Sequence, residues 1–266
     1  PYLNFWRAPI DNDYGNDLPG RSKEWKFASN NRSLKNFNYE TLNNNLVKVT
    51  VKYELPNINS SYTTVFLINS IGEIKISNDF QYRGKLSDAE MPRFGMNFQI
   101  PDTFNNVSWY GRGPHENYID RKDSAFMGIY NSLVSDLGFD YSRPQENGYR
   151  TETKWLKLTD ENGIGLKIYG EPNISFSAHN NTIEDFDDGI RENSPGEELS
   201  SRSRIVKKQR KPIDVPKRDF IGLNIDLKQM GIGGDNSWGA RPLLKYLIQP
   251  GNFKYSFTIK PILKSE

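Results

Sequence analysis

An all-β fold of packed antiparallel sheets is what this 266-residue sequence predicts, on three observations. Apolar residues alternate with polar ones at period two along most of the chain. The alternating runs are separated by turn-forming residues, and helical periodicity is nearly absent. Aromatic residues make up 13% of the sequence and supply the large buried areas that stacked sheets require.

Taken in order, Val47, Val49, Val51 and Tyr53 alternate with Lys48, Thr50 and Lys52, as a strand with one buried face does. The run from Tyr62 to Ile68 leads through Asn69-Ser70-Ile71-Gly72 into Ile74, Ile76, Phe80 and Tyr82, an antiparallel hairpin. Phe94, Met96, Phe98 and Ile100 repeat the alternation. Leu156 and Leu158 turn at Asp160-Glu161-Asn162-Gly163 into Ile164, Leu166 and Ile168. Leu244, Tyr246 and Ile248 are expected to pair with Phe253, Tyr255, Phe257 and Ile259 across Pro250-Gly251-Asn252. The best helical candidate is a turn or two after Thr182, where Glu184 and Asp185 favour a helix N-terminus.

Charge is nearly balanced: 35 Lys and Arg against 33 Asp and Glu leave a net charge of +2, which creates no field for nucleic acid or an anionic membrane. The acids between Glu184 and Glu198 are followed by the bases between Arg202 and Arg218, and the two runs neutralise each other in a solvated excursion. With no cysteine, the chain has no disulfide, thiolate metal site or cysteine nucleophile, and it suits either a reducing cytoplasm or a periplasm. No run of about 18 apolar residues and no signal peptide are present, so a soluble chain is expected. Sandwiches of about 200 to 250 residues commonly form one domain, so residues 1–266 are read as one.

Residues 230–238 read Met-Gly-Ile-Gly-Gly-Asp-Asn-Ser-Trp. Gly231, Gly233 and Gly234 permit positive φ or close approach of another chain, while Asp235, Asn236 and Ser237 bond their own backbone and fix the turn. Such a loop holds something still. Trp238 comes directly after it, and its flat apolar face and single N–H donor suit stacking on a sugar ring. The plainer reading is a strand connection with a core tryptophan at its end.

This loop resembles the signature near the C-terminus of the large glycoside hydrolase family 2 β-galactosidases, and three further stretches agree with it in the family's order. They are Phe5-Trp6-Arg7-Ala8-Pro9-Ile10-Asp11-Asn12-Asp13, the segment Trp109-Tyr110-Gly111-Arg112-Gly113-Pro114-His115-Glu116-Asn117-Tyr118-Ile119-Asp120-Arg121, and Pro144-Gln145-Glu146-Asn147-Gly148. The resemblance covers nearly the whole chain. It implies the family's C-terminal small-chain domain, a large antiparallel supersandwich like that of galactose mutarotases. It also implies a parent enzyme that hydrolyses terminal non-reducing β-D-galactose residues with retention. The catalytic carboxylates and a divalent metal, Mg or Ca, would lie in an upstream barrel domain of the same polypeptide, and a homo-oligomeric parent is compatible with the resemblance. Trp238 would reach that site and stack on the β-galactoside, chiefly on the aglycone side, and no catalytic residue or metal ligand is carried over to this chain. The sequence departs from the commonest pattern at Asn236, where aspartate is frequent, at Gly239-Ala240, and at His115, where glutamine is frequent. The chain opens Pro1-Tyr2-Leu3-Asn4, close to the first motif and without an initiator methionine, so a fragment of a longer enzyme is expected, inactive by itself.

The residues themselves offer other chemistry. A retaining glycosidase needs two carboxyl groups about 5 Å apart, and no spacing here singles out a pair. Asp11 and Asp13, with Asn12 between them, lie on one face of an extended segment and could form a catalytic or metal cluster, but Asx turns and strand capping are the stronger reading. His115 or His179 with an acid such as Glu116 is the pair that sugar ring opening by a mutarotase-like isomerase would use, but adjacent His115 and Glu116 face opposite ways on a strand. Glu184, Asp185, Asp187 and Asp188 lack the glycine and distal glutamate of a calcium loop. An independent carbohydrate-binding module and a purely structural domain stand as the remaining alternatives.

Overall fold

The computed structural model describes residues 1–85, 89–187, 189–191, 205–207, 211–236 and 239–263. Its strands are β1 (Tyr2–Asn4), β2 (Ser33–Asn43), β3 (Leu46–Leu55), β4 (Ser60–Asn69), β5 (Ile74–Tyr82), β6 (Arg93–Pro101) and β7 (Asn106–Gly113). Next in the chain are β8 (Phe126–Leu133), β9 (Arg150–Thr159), β10 (Gly165–His179), β11 (Gly189–Arg191), β12 (Ile205–Lys207), β13 (Phe220–Gln229) and β14 (Phe253–Ile262). Four short helices complete it: α1 (Asp11–Gly15), α2 (Leu18–Arg21), α3 (Lys23–Ala28) and α4 (Ile183–Phe186).

The architecture turns on β10. Its first half, Gly165–Glu171, pairs with β14, and its second half, Ser175–His179, pairs with β13. One long strand therefore feeds two leaves. The first runs β14-β5-β4-β3-β2 and the second β13-β6-β1, while β9, β7 and β8 extend from the other edge of β10. All these pairings are antiparallel. The two leaves face each other, as the ring contacts across them show. Phe94 of β6 lies 5.1 Å from Phe253 of β14 and 5.5 Å from Phe80 of β5, and Phe98 lies 6.1 Å from Phe257. The expected large antiparallel sandwich is what the chain forms.

Sequence and structure part at three places. The 244–248 segment does not pair with β14, because both edges of that strand are already taken, by β5 and by β10. Leu244–Tyr246 is instead a single 3-10 turn, and Ile248 bridges to Met91. Residues 11–28 are helical rather than extended. Leu18, Trp25 and Ala28 bury completely or nearly so, but each helix is six residues or shorter, too short for a periodic signal. The 184–218 stretch is not wholly a solvated excursion, since Asp185 and Asp187 are buried and Gly189–Arg191 pairs with Ile205–Lys207. The helix after Thr182 forms as expected, with the Thr182 hydroxyl accepting from the Asp185 N–H and the Asp185 carboxylate accepting from the Thr182 N–H.

Phe94 is fully buried, with Phe5, Tyr62, Phe80, Phe253 and Tyr255 all within 5.1–6.0 Å between ring centroids. Removing that ring opens a cavity between both leaves. Phe94→Ala is therefore expected to cost about 3–5 kcal/mol of unfolding free energy in urea titration, and a loss under about 1 kcal/mol would contradict the two-leaf core.

Candidate functional site

The glycine loop begins where β13 ends, and its backbone is tied down at successive residues. The Met230 N–H donates to the Pro92 carbonyl (3.0 Å) and the Gly231 N–H to the Tyr246 carbonyl (2.8 Å). The Ile232 and Gly233 N–H groups then donate to the two oxygens of Asp120, at 3.1 and 2.8 Å. Arg121, the next residue, donates from Nη2 to the Gly233 carbonyl at 2.8 Å. Consecutive side chains of one motif thus hold both polarities of the loop backbone, and charge on each makes these bonds stronger than neutral ones.

The glycines are required by this approach. A Cβ on Gly231 would sit 2.5 Å from the Asp120 carboxylate, and Gly233 and Gly234 have φ of +67° and +112°. Beyond them Asp235 and Asn236 are exposed, and the Asn236 carbonyl accepts from Asn12 Nδ2 at 2.9 Å. The loop thus rises from the buried Ile232 to the surface while anchored on its way by residues of two distant motifs. Ser237 and Trp238 lie outside the described residues.

The first motif reaches the loop through a buried ion pair. Arg7 and Asp13 are almost without exposure, their Nη2 and Oδ2 atoms are 3.0 Å apart, and Arg7 Nη2 also donates to the Gly231 carbonyl at 3.4 Å. Asp13 accepts from the Ile10 N–H at 2.9 Å, which is the positioning role open to it in the sequence, here at a helix start rather than on an extended segment. Burial raises its carboxyl, and the Arg7 guanidinium acts against that rise.

The third motif joins through Glu146, 3.0 Å from Arg93. Arg93 also faces Asp226 at 3.2 Å and donates from Nε to Gln229 at 2.8 Å. This buried set holds Arg7 and Arg93 against Asp13, Glu146 and Asp226, one acid more than the bases. Glu146 is pushed up by burial despite Arg93 and Arg7, and Asp226 is pushed up by burial to about 7 despite Arg93. Burial opposes the charge of Arg93, but Glu146 and Asp226 outweigh it and raise the guanidinium further.

The four motifs enclose a cleft of about 200 Å³ beside the loop, lined among others by Ile10, Asn12, Tyr118, Gln145, Ile232 and Gly233. Beneath it Tyr118 and Tyr149 stack at 5.6 Å and 17°. The carboxylates around it are engaged within the chain. Asp120 holds backbone, Glu116 accepts from the Gly148 N–H (2.7 Å) and from the Tyr141 hydroxyl, Asp11 pairs with Arg143 (2.6 Å), and Glu146 pairs with Arg93. Their arrangement positions a loop and shapes a surface; it does not present a free acid and base.

The remaining sequence candidates are scattered. His115 lies in a turn after β7 rather than on a strand, within 3.3 Å of Ser124 Oγ, and Glu116 is committed as above. His179 packs edge-on against Phe186, its Nε2 lies 3.1 Å from the Asn147 carbonyl, and burial pushes it down to about 4, so it is neutral at physiological pH. Asp185 pairs with Arg218 and Asp187 with Lys26, while Asp188 lies outside the described residues. Among the described residues no three His, Asp or Glu side chains converge as metal ligands, so they do not fit a divalent-metal site. No helix among them is long and apolar enough to cross a membrane.

A family model described as β-galactosidase small chain matches residues 1–259. The chain belongs to this family. It is 33% identical over 97% of its length to a β-galactosidase of Priestia megaterium, covering 23% of that protein. Against a β-galactosidase of Streptococcus thermophilus it is 29% identical over 98%, covering 24%. The small chain thus spans about a quarter of the length of these curated relatives. Among solved structures, a galactose mutarotase related enzyme from Lactobacillus acidophilus is similar at a TM-score of 0.36 and 8% identity, covering 87% of this chain and 73% of that one. A GalM/aldose epimerase homologue from C. elegans gives 0.38 and 10%, covering 87% and 70%.

Asp226 supplies the test of the buried set. Folded, it keeps a proton at pH values where an unfolded aspartate, near 3.8, has lost it, so its contribution to stability falls as pH rises from about 4 to about 7. Because Glu146 still compensates Arg93, Asp226→Asn is expected to raise unfolding free energy at pH 8 by about 1–4 kcal/mol, with the gain vanishing toward pH 4. Urea titrations across that range check it; a loss of stability at pH 8 would show that the carboxylate is fully compensated.

Proposed function

We propose that this chain serves as the small-chain part of a β-galactosidase that hydrolyses terminal non-reducing β-D-galactose residues with retention, and that its share of the work is binding. The observation that carries this reading is the glycine loop, whose backbone is gripped by Asp120, Arg121, Arg7 and Asn12 of two other motifs, while the 144–148 motif lines the cleft beside it. A loop held at so many points can present the next residues with little loss of conformational entropy on binding, which is what positions a stacking side chain. Trp238, with Gly231, Gly233, Gly234, Asp235, Asn236 and Ser237 as its support, is the side chain this reading assigns to substrate. The general acid, the nucleophile and the divalent metal, Mg or Ca, belong in this reading to the upstream barrel domain of the same polypeptide, and no step is assigned here to that metal.

Kinetics separate the two parts of this division of labour. The 266-residue chain alone is expected to release no nitrophenol from a nitrophenyl β-galactoside, and turnover by a clean preparation would overturn it. In the longer enzyme, Trp238→Ala is expected to raise KM by about tenfold with a smaller change in kcat, because stacking acts on ground state and transition state alike. Unchanged KM would remove Trp238 from the site.

A further inference from the structure

A second opening adjoins the loop cleft. It has a volume of about 350 Å³ and lies between residues 134–147, the end of β10 at His179–Asn181, and residues 212–217. Tyr141 and Gln145 line both openings, so the two lie side by side. Its outer wall carries Phe139, which is 61% exposed although its ring sits 4.7 Å from that of Tyr141. An exposed aromatic face of this kind is available for stacking.

The ring is held in place from behind. The Phe139 N–H donates to Asn147 Oδ1 at 3.2 Å, and the Tyr141 hydroxyl donates to Glu116. The same opening is lined by two amides fixed by bonds to backbone carbonyls. Asn180 Nδ2 donates to the Phe220 carbonyl at 3.4 Å and Asn181 Nδ2 to the Pro216 carbonyl at 2.8 Å, leaving their Oδ1 atoms as acceptors. His179 is neutral at physiological pH, and of the charged side chains lining the opening Asp140 stands against Lys217 while Arg143 is paired with Asp11. A cleft of this size whose charges are balanced, lined by an aromatic ring and by fixed amide acceptors, matches the apolar faces and hydroxyl edges of a sugar.

We propose that this cleft is a separate saccharide-binding site that takes a neutral mono- or disaccharide, with the Phe139 ring against the apolar face of one sugar and the Asn180 and Asn181 amides accepting from its hydroxyls. It does not depend on the role assigned to Trp238, and the test separates the two. The chain is titrated with galactose, lactose, glucose and cellobiose while its amide resonances are followed. Expected are saturable millimolar shifts at Phe139, Asn180 and Asn181 with at least one of the sugars, weakened about fivefold or more in Phe139→Ala and unaltered in Trp238→Ala. Because Phe139 is exposed, the variant is expected to keep the wild-type spectrum elsewhere. No shift with any of the four sugars at about 50 mM, shifts indifferent to Phe139→Ala, or shifts abolished by Trp238→Ala would each overturn the proposal.

Discussion

One carboxylate fixes the geometry on which the candidate site depends. Asp120 accepts two successive backbone N–H groups, those of Ile232 and Gly233, and it lies so close that a Cβ at 231 would meet its carboxylate at 2.5 Å and displace it. A buried or half-buried N–H without an acceptor costs about 1–3 kcal/mol, so a loop that turns away from β13 needs such an acceptor at its turn. Arg121 answers the same need for the Gly233 carbonyl. The loop's shape is therefore set by the second motif as much as by its own glycines.

Beneath the clamp lies a set of charges that burial makes expensive. Replacing such groups by apolar ones is often neutral or stabilising, whereas removing one partner alone leaves an uncompensated charge. Arg7 and Arg93 nonetheless tie β6, β13, the 144–148 segment and the N-terminal segment into one unit, through Asp13, Glu146, Asp226, Gln229 and the Gly231 carbonyl. These groups hold elements far apart in sequence in one register around the cleft. Burial pushes all three acids of the set up, Asp226 to about 7.

The strands were legible because burial of one sheet face writes itself into the sequence at period two: β3, β5, β6, β9 and the first half of β10 lie where Val47–Tyr53, Ile74–Tyr82, Phe94–Ile100 and Leu156–Ile168 alternate, and β4 lies on the apolar run Tyr62–Ile68. The turn at 233–234 was legible from its glycines, both of which take positive φ. What escaped was decided by competition between distant parts. Residues 244–248 have a strand's pattern, yet β5 and β10 hold both edges of β14 first. Helices α1–α3 arise from Leu18, Trp25 and Ala28 finding the core, which no short window records. Asp120 and Arg121 stand within a motif that the sequence displays, but nothing local told that their partners lie more than a hundred residues away.

The Asp120 carboxylate holds the glycine loop in one conformation, and native-state hydrogen exchange at the Ile232 and Gly233 amides measures this most directly. Both amides are expected to be protected in the wild-type chain, and Asp120→Ala is expected to speed their exchange by about tenfold to a hundredfold, as the loss of charge-assisted bonds implies. Fast exchange in the wild type, or rates unmoved by the substitution, would contradict the account.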